Sequence, residues 1–522
     1  MSVIGESEVQ EYLQGNRQFR HLLPRAALVG LGAGILAVAF RMMLANADLF
    51  RHRMLTWLQQ SPEWGWIGAM AFSAGGACIA VWLTRAYAPD AAGSGIPHLK
   101  GVLHRLRDMP WLSLIWVKFV GGVMALSAGL GLGREGPTVQ MGGAVGDAIG
   151  RTLGVSTRER LTLTAAGAGA GLAAAFNAPL SGVIFVLEEL QRDFQPAVFG
   201  AVFVAAAVAD IVARFVAGQY PVFAIPSYAT PPLEALPMFM VLGVACGVLG
   251  VVFNRTLLSV SGWALHQTAQ RRLGLTVIVG AATGYLAWTM PLLVGSGHAL
   301  AESVLSGHVV LWLIPIYVMV RFGLTVTSYA TGAPGGIFAP LLVLGALVGA
   351  AIGQLAMWVI PTIHEPAVFA VVGMAALFTG IVRAPLTGVV LIIEMTGNYQ
   401  QMLPLLVACF AAYAVAEYLR DIPIYEALLM RDLQRNGVTS RHAKPVVAEY
   451  TVESGSQYDG KLVRELGLPP GCILVRCQYE QQEVVPTADT ILRANMRMTV
   501  VVPPHATHAL ATIREGCDPF NE

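Results

Sequence analysis

Charge is what this chain has least of. Only 12% of its 522 residues are Asp, Glu, Lys or Arg, against roughly 25% in an ordinary soluble domain. Apolar residues make up 55%, and mean hydropathy is +0.61. That balance excludes a soluble globular chain. Apolar stretches recur near or above the spanning length of about 20 residues, which marks a polytopic membrane protein. Net charge is only +1, so no broad field invites nucleic acid, and none is expected as a partner. The six cysteines (Cys78, Cys246, Cys409, Cys472, Cys477, Cys517) are scattered. They form neither a disulfide framework nor a ligand cluster, so no metal or cofactor is expected. Residues 1–25 carry Glu6, Glu8, Glu11, Arg17 and Arg20 before any long apolar run. This departs from the plan of a cleaved secretory leader. Residues 1–22 read as a polar, partly amphipathic helix at the cytoplasmic face, where arginines are favoured.

Apolar segments follow at about 26–48, 65–87, 111–131, 161–175, 178–190, 196–218, 235–262, 273–294, 309–330, 339–360, 366–382, 385–396 and 402–418. Several are too short to cross a bilayer alone. Short segments interrupted by Gly and Pro are the mark of broken helices around a midplane site. A repeat runs through them. Ala175-Phe-Asn-Ala-Pro-Leu-Ser-Gly182 and Ile381-Val-Arg-Ala-Pro-Leu-Thr-Gly388 precede V-I-F-V-L-E-E and V-V-L-I-I-E-M. Pro179 to Pro385 and Glu188 to Glu394 are both 206 positions, and Pro137 to Pro340 is 203. Two related halves with broken helices put a site at their interface. The residues leave open whether the halves are parallel or inverted.

The stretch Gly131–Gly143 sets Arg134 and Glu135 side by side inside one of the most apolar regions. Ionisable groups at membrane depth usually line a cavity or a substrate path. Gly133, Gly136 and Pro137 predict a helix break there, with Pro137 in the first turn of a new helix. Exposed amides of that turn favour an anion. A plain Arg134–Glu135 ion pair is the competing account. Ser94, between two glycines, offers a hydroxyl donor without bringing in a cation. Ile337 and Phe338 are apolar, so packing is the plain account, but their amides open a helix after Gly335-Gly336. Tyr425 follows the last apolar span, where interfacial tyrosines are common anyway. Glu188 and Glu189 end an apolar helix, a position that disfavours carboxylates. Lys118 and Arg321 lie in apolar stretches and are expected to neutralise buried negative charge.

Beyond about Gly437 the composition changes: residues 437–522 hold 8 Lys/Arg and 10 Asp/Glu, and no span fits. Val446–Val452, Cys472–Tyr479 and Met496–Val502 read as strands and Leu462–Leu466 as a short helix, a small α+β domain.

Four stretches together resemble the CLC family of chloride channels and proton-coupled chloride exchangers. They are G-S-G-I-P (93–97), G-R-E-G-P (133–137), G-G-I-F-A-P (335–340) and the tyrosine of P-I-Y-E-A-L (Tyr425). The resemblance covers about residues 20–430. It implies an all-α polytopic fold of two inverted-repeat halves (about 23–218 and 235–430, in a 23–430 transmembrane domain). It also implies a homodimer embedded in lipid, in a bacterial inner membrane, with both termini cytoplasmic. Ser94, Tyr425 and the amides of Ile337 and Phe338 would hold a central chloride, with nitrate or bromide as further anions. Glu135 would be the gating glutamate and external proton carrier, and Glu189 the internal proton-transfer residue. Arg134 and Lys118 would be supporting charges. His98 and Lys100 depart from the acids often found there in exchangers, so the intracellular mouth would be more positive. The tail resembles the C-terminal lobe of RCK/TrkA-type regulatory domains, which implies a cytoplasmic regulatory role and a small regulatory ligand. Asn495-Met496 stands where such domains usually have Gly-Asp.

The expected function is chloride–proton exchange by a protein that is not an enzyme. A passive channel of the same family is the nearest alternative. An intramembrane hydrolase using Ser94 would need a membrane-embedded histidine. The apolar spans around Ser94 and Glu135 hold none; His98 and His104 lie in the basic connection, and His298 and His308 flank a distant loop. A tail acting first as a ligand sensor is the third alternative.

Overall fold

A computed structural model describes residues 6–435 and 446–518, except 62, 220–221, 224–227, 229, 308–309, 362, 364, 480–481 and 504–508. For 6–20, 217, 311 and 446 it describes the backbone alone. The chain divides into two compact units, Met1–Arg431 and Asp432–Glu522.

The first unit is helical throughout. Among the described residues, six helices are long and apolar enough to cross a membrane: His21–Leu58, Gly65–Tyr87, Pro196–Val216, Leu233–His266, Phe338–Val359 and Tyr399–Tyr418. This is a multi-pass membrane protein. The first helix runs unbroken from Glu6 to Leu58 with Pro24 inside it. A polar helix ending at 22 and a separate first span had been the expectation. Proline removes one backbone bond, but packing against the Thr157–Phe176 and Pro196–Ala217 helices carries the helix past it. Other helices are far too short to span. Ile96–Leu103 and His298–Leu305 have 8 residues and Pro179–Phe185 has 7, about 12 Å of rise or less.

The two halves repeat each other in three dimensions. In the first, helices Glu135–Thr152 and Thr157–Phe176 touch backbone to backbone. A Cβ on Gly142 would lie 2.2 Å from the Gly167 carbonyl oxygen. In the second, Phe338–Val359 and Ala367–Val382 meet the same way, and a Cβ on Gly345 would lie 2.2 Å from the Gly373 oxygen. Small residues permit such approaches where lipid gives helices no hydrophobic drive to associate.

Interlocked caps join the halves. Glu188 accepts from Leu386 N (3.1 Å), Thr387 N (2.8 Å) and Thr387 Oγ1 (2.7 Å), at the start of the Pro385–Thr396 helix. Glu394 accepts from Leu180 N (3.1 Å), Ser181 N (2.8 Å) and Ser181 Oγ, at the start of Pro179–Phe185. Each half thus sends a carboxylate to the orphan amides and positive dipole end of a helix in the other. This is why the 206-residue spacing holds for both prolines and both glutamates.

In the second unit, four strands form one antiparallel sheet in the order β1-β4-β2-β3. They are β1 (Val446–Thr451), β2 (Ile473–Tyr479), β3 (Gln482–Val484) and β4 (Arg497–Val502). Val446 pairs with Val502 and Thr451 with Arg497, while Ile473 pairs with Val501 and Gln478 with Arg497. Met498, Val500 and Val502 alternate inward, as the period of a strand requires, and pack with Leu474, Cys477, Ile513 and Cys517. The segment expected as a helix at 462–466 is a 3-10 turn over Val463–Glu465. A helix at Ala509–Cys517 closes the core. Asn495 adopts φ +66, a conformation Asn tolerates better than most residues, so it serves the turn a glycine would.

Candidate functional site

Three loops far apart in sequence are tied together by their main chains. Gly93 N donates to Ala333 O (3.2 Å) and Gly335 N to Gly93 O (3.0 Å). Gly133 and Gly336 exchange both bonds, at 2.6 and 2.7 Å. Lys118, fully buried in the Trp111–Ser127 helix, donates to the carbonyls of Ala91 (2.9 Å) and Gly93 (2.7 Å). Arg321 does the same in the other half, bonding Leu293 O (3.1 Å), Gly295 O (2.8 Å) and Ser296 O (2.9 Å). The expectation that these two cations neutralise buried acids is therefore corrected. They fasten the matching loops Gly93-Ser-Gly95 and Gly295-Ser-Gly297, using the several donors such groups carry.

At this knot two helices begin side by side. One starts at Glu135, with Pro137 in its first turn, and the other at Phe338 after its cap Ile337. Only glycine fits at 136, because a Cβ there would lie 2.6 Å from Ser94 Oγ and 3.1 Å from Gly336 Cα. The Phe338 ring packs among Phe176 (centroids 5.4 Å apart) and Phe378 (4.4 Å), so its polar offering is its amide. Tyr425, at the start of the Ile424–Arg435 helix, is fully buried. Its hydroxyl is close enough to interact with the Ser94 side chain, and Tyr329, Glu189 and Glu135 are within electrostatic range. Among the described residues, Ser94 Oγ, the Tyr425 hydroxyl and Glu135 Oε2 make no hydrogen bond. Buried polar atoms are nearly always satisfied, and two donor hydroxyls without an acceptor suit an anion. No histidine bonds Ser94 Oγ.

Arg134 does not hold Glu135 in a close ion pair. Its Nε stands 4.0 Å from Glu135 Oε1, and its Nη2 donates to Ala175 O (3.3 Å). The Glu135 carboxylate turns towards its own amide and that of Ala339. It also borders a cavity of about 260 Å³ whose walls include Arg41, Asp48, Arg134 and His298. His298 is thus near Glu135, not off in a distant loop as its sequence position suggests. His308 lies outside the described residues.

The neighbouring glutamates part company. They share a π-helical turn, Val186–Gln191, and this wider turn aims Glu188 at the other half and Glu189 inward. Glu189, 1% exposed, pairs with Lys100 at 2.8 Å, and Arg192 pairs with Glu426 at 2.8 Å close by. His98 Nδ1 meets Gln140 Nε2 at 3.1 Å and lies 3.7 Å by Nε2 from Asp90. Sequence reasoning noted Lys100 but not its partner. It also missed Tyr329, whose hydroxyl would be 2.9 Å from a Cβ on Gly93, and the capping by Glu394, which the repeat itself points to. Among the described residues, no cluster of His, Cys, Asp or Glu could hold a metal.

Comparison with known proteins gives one consistent picture. The family described as voltage gated chloride channel matches residues 76–417, and the TrkA-C domain matches 447–513. An H(+)/Cl(-) exchange transporter, ClcA, of Vibrio parahaemolyticus is 41% identical over 430 residues, covering 81% of this chain and 92% of that protein. The crystal structure of a slow cyanobacterial Cl-/H+ antiporter superposes with TM-score 0.77 at 36% identity, over 80% of this chain and 99% of that one. A eukaryotic CLC transporter shares the fold, with TM-score 0.69 at 22% identity over 85% and 78%.

Proposed function

This chain belongs to the voltage gated chloride channel (CLC) family, and we propose that it is a secondary active transporter exchanging chloride for protons. The observation that carries the reading is the group of Ser94 Oγ, the Tyr425 hydroxyl and the Glu135 carboxylate, all buried where two helix starts meet. Neutral hydroxyls and main-chain amides bind an anion firmly enough to admit it and weakly enough to release it. The amides of Ile337 and Phe338 complete the site.

In this reading Glu135 competes with chloride when ionised and withdraws when protonated, so the two ions move in opposite senses. Glu189 delivers protons from the cytoplasm, because one carboxylate cannot serve both faces. Arg134 and Lys118 supply supporting charge, Lys118 by holding the Ser94 loop. The protein works as a homodimer in lipid, in the inner membrane, with both termini cytoplasmic. The tail regulates, with a small ligand as its effector. The test is reconstitution into liposomes with chloride efflux and proton uptake followed together. Uphill proton movement driven by a chloride gradient supports exchange.

One observation favours the alternative, a passive chloride channel. Lys100 engages Glu189 directly at 2.8 Å, which ties up the residue that would load protons. A wild type that conducts chloride without moving protons would establish that reading instead.

A further inference from the structure

We propose that Arg192 and Glu426 form a latch that holds the Tyr425 hydroxyl at the central anion site, which makes both of them positioning residues for anion binding. The inference rests on the reading above that Tyr425 contacts the anion, but the latch itself is built from separate residues. Tyr425 is the second residue of the Ile424–Arg435 helix, and side chains tie this helix down at both ends. Ahead of it, Asp421 accepts from Asn254 Nδ2 at 2.8 Å and stands 3.7 Å from both Arg383 and Arg255. Further along, Arg431 donates to Leu258 O and Ser261 Oγ, each at 2.9 Å. These ties run to the second half of the fold. Asn254, Arg255, Leu258 and Ser261 belong to the Leu236–His266 helix, and Arg383 caps the Ala367–Val382 helix. A further tie crosses to the first half. Glu426, next in sequence to Tyr425, pairs with Arg192 at 2.8 Å, and Arg192 ends the π-helical turn that carries Glu189. The helix is thus hinged on one half and latched to the other, the half that presents Ser94. Donors from two halves stay within reach of one ion only if supporting contacts lock them there.

The backbone at Arg192 argues that its side chain is what the position needs. Its φ is +53, in the left-handed region that glycine enters freely and arginine does not. The matching helix of the other half, Pro385–Thr396, ends in the same region at Gly397, φ +67. Glu188 to Arg192 is four positions and Glu394 to Gly397 is three, the difference being the extra residue of the π turn. Where the second half spends a glycine, the first therefore keeps a guanidinium, whose fork suits a carboxylate. Glu189 lies within electrostatic range of both latch members, so the turn that presents Glu189 also holds the helix that presents Tyr425. Both latch side chains are partly exposed. Water screens such a pair, so its grip is modest, about two- to fivefold in an equilibrium.

Glu426→Gln and Arg192→Gln each cut the latch, while Arg192→Lys keeps its charge. Chloride binding to the purified full chain in detergent, followed by calorimetry, should weaken about two- to fivefold in either Gln variant and stay within about 1.5-fold in Arg192→Lys. The double Gln variant should bind no more weakly than either single one, since the two groups act as one pair. In a Tyr425→Phe background, which lacks the hydroxyl to be positioned, Glu426→Gln should weaken binding no further. Amide hydrogen exchange is followed by mass spectrometry on the same proteins. Over residues 422–430 it should quicken about two- to fivefold in the Gln variants and return to the wild-type rate in Arg192→Lys, while the Glu135–Thr152 helix exchanges as in wild type. Wild-type chloride binding in both Gln variants, unchanged exchange over 422–430, or a loss of affinity that persists in full in Tyr425→Phe would each overturn the latch. If wild type binds no chloride, the anion-site reading fails, while hydrogen exchange still decides whether the pair holds this helix.

Discussion

Glu188 and Glu189 are adjacent in sequence and should fail in opposite ways. The Glu188 carboxylate is consumed by three donors of the Pro385–Thr396 helix, at 3.1, 2.8 and 2.7 Å. Hydrogen bonds to a charged group contribute about 1.5–3 kcal/mol each. Glu188→Gln keeps one acceptor oxygen, turns an amide NH₂ towards donors, and removes the charge that the helix dipole favours. At least one bond is lost, so the cost should be about 2–3 kcal/mol. The ratio of folded to unfolded protein then falls roughly 30- to 150-fold. Glu189→Gln removes no such cap but leaves the buried Lys100 ammonium facing a neutral amide, so it carries a stability cost of its own.

The assay runs stability and coupling on the same preparations. Monodispersity after graded heating in detergent reports the fold, and paired chloride and proton fluxes in liposomes report coupling. Glu188→Gln should lose heat resistance and retain the wild-type proton-to-chloride ratio. Glu189→Gln should pass chloride without protons, whatever heat resistance it loses with the Lys100 pair. If Glu188→Gln uncouples while remaining as stable as wild type, the cap is misread and the proton path runs through the wrong residue. Glu394→Gln, the mirror of Glu188 at Leu180 and Ser181, should repeat the stability loss.

Five further outcomes are expected. Glu135→Gln, a permanent mimic of the protonated gate, should give passive chloride flux with no proton movement in the same liposomes. Ser94→Pro should raise nitrate preference in anion-competition flux, and unchanged selectivity would count against the Ser94 assignment. Deleting residues 437–522 should leave basal chloride flux intact while altering its regulation or the oligomer seen by size-exclusion chromatography. In the tail, burial and the adjacent Asp518 push the Cys517 thiol up to about 11, so maleimide should label it slowly at neutral pH, the thiolate being the nucleophile. The ordinary thiol lies lower, so the folded tail holds the proton more tightly. Its stability should fall as pH rises from about 9 towards 11, checked by denaturant unfolding at stepped pH.

What could be read from the sequence follows from what is local. Glycine and proline punctuate the backbone wherever they stand, so the break at Gly133–Pro137 and the helix start after Gly335-Gly336 were visible. The tail strands were visible for the same reason, since β-branched runs bounded by Gly and Pro carry their own signal. Contacts across long separations were not. Lys100 and Glu189 are 89 positions apart, Glu188 and Thr387 are 199 apart, and neither pairing follows from propensity. The change from polar to apolar composition near residue 22 marks no helix boundary, because the Glu6–Leu58 helix runs on through Pro24 with neighbouring helices packed against it. The loop Gly295-Ser-Gly297 is the instructive miss. It mirrors Gly93-Ser-Gly95, with matching positive φ at both glycines of each, and was there to be found once a second half was suspected. Its recognition would have brought His298 to Glu135 from sequence alone.

The distribution of formal charge has a logic of its own on the proposed path. At the central knot Lys118 donates to two carbonyls of the Ser94 loop. What remains for an anion is neutral: two hydroxyls and the amides of helix starts. A bare ammonium there would bind chloride too tightly for turnover, since Coulomb attraction grows as the surroundings lose water. Arg41 and Arg134 line the Glu135 cavity, and Arg134 stands within ion-pair distance, 4.0 Å, of the Glu135 carboxylate. The guanidinium groups at the cavity and the hydroxyls of Ser94 and Tyr425 thus stand in separate places. In the proposed mechanism Glu135, which borders the cavity and lies at the helix start by Ser94, is the group whose charge would gate passage between the two.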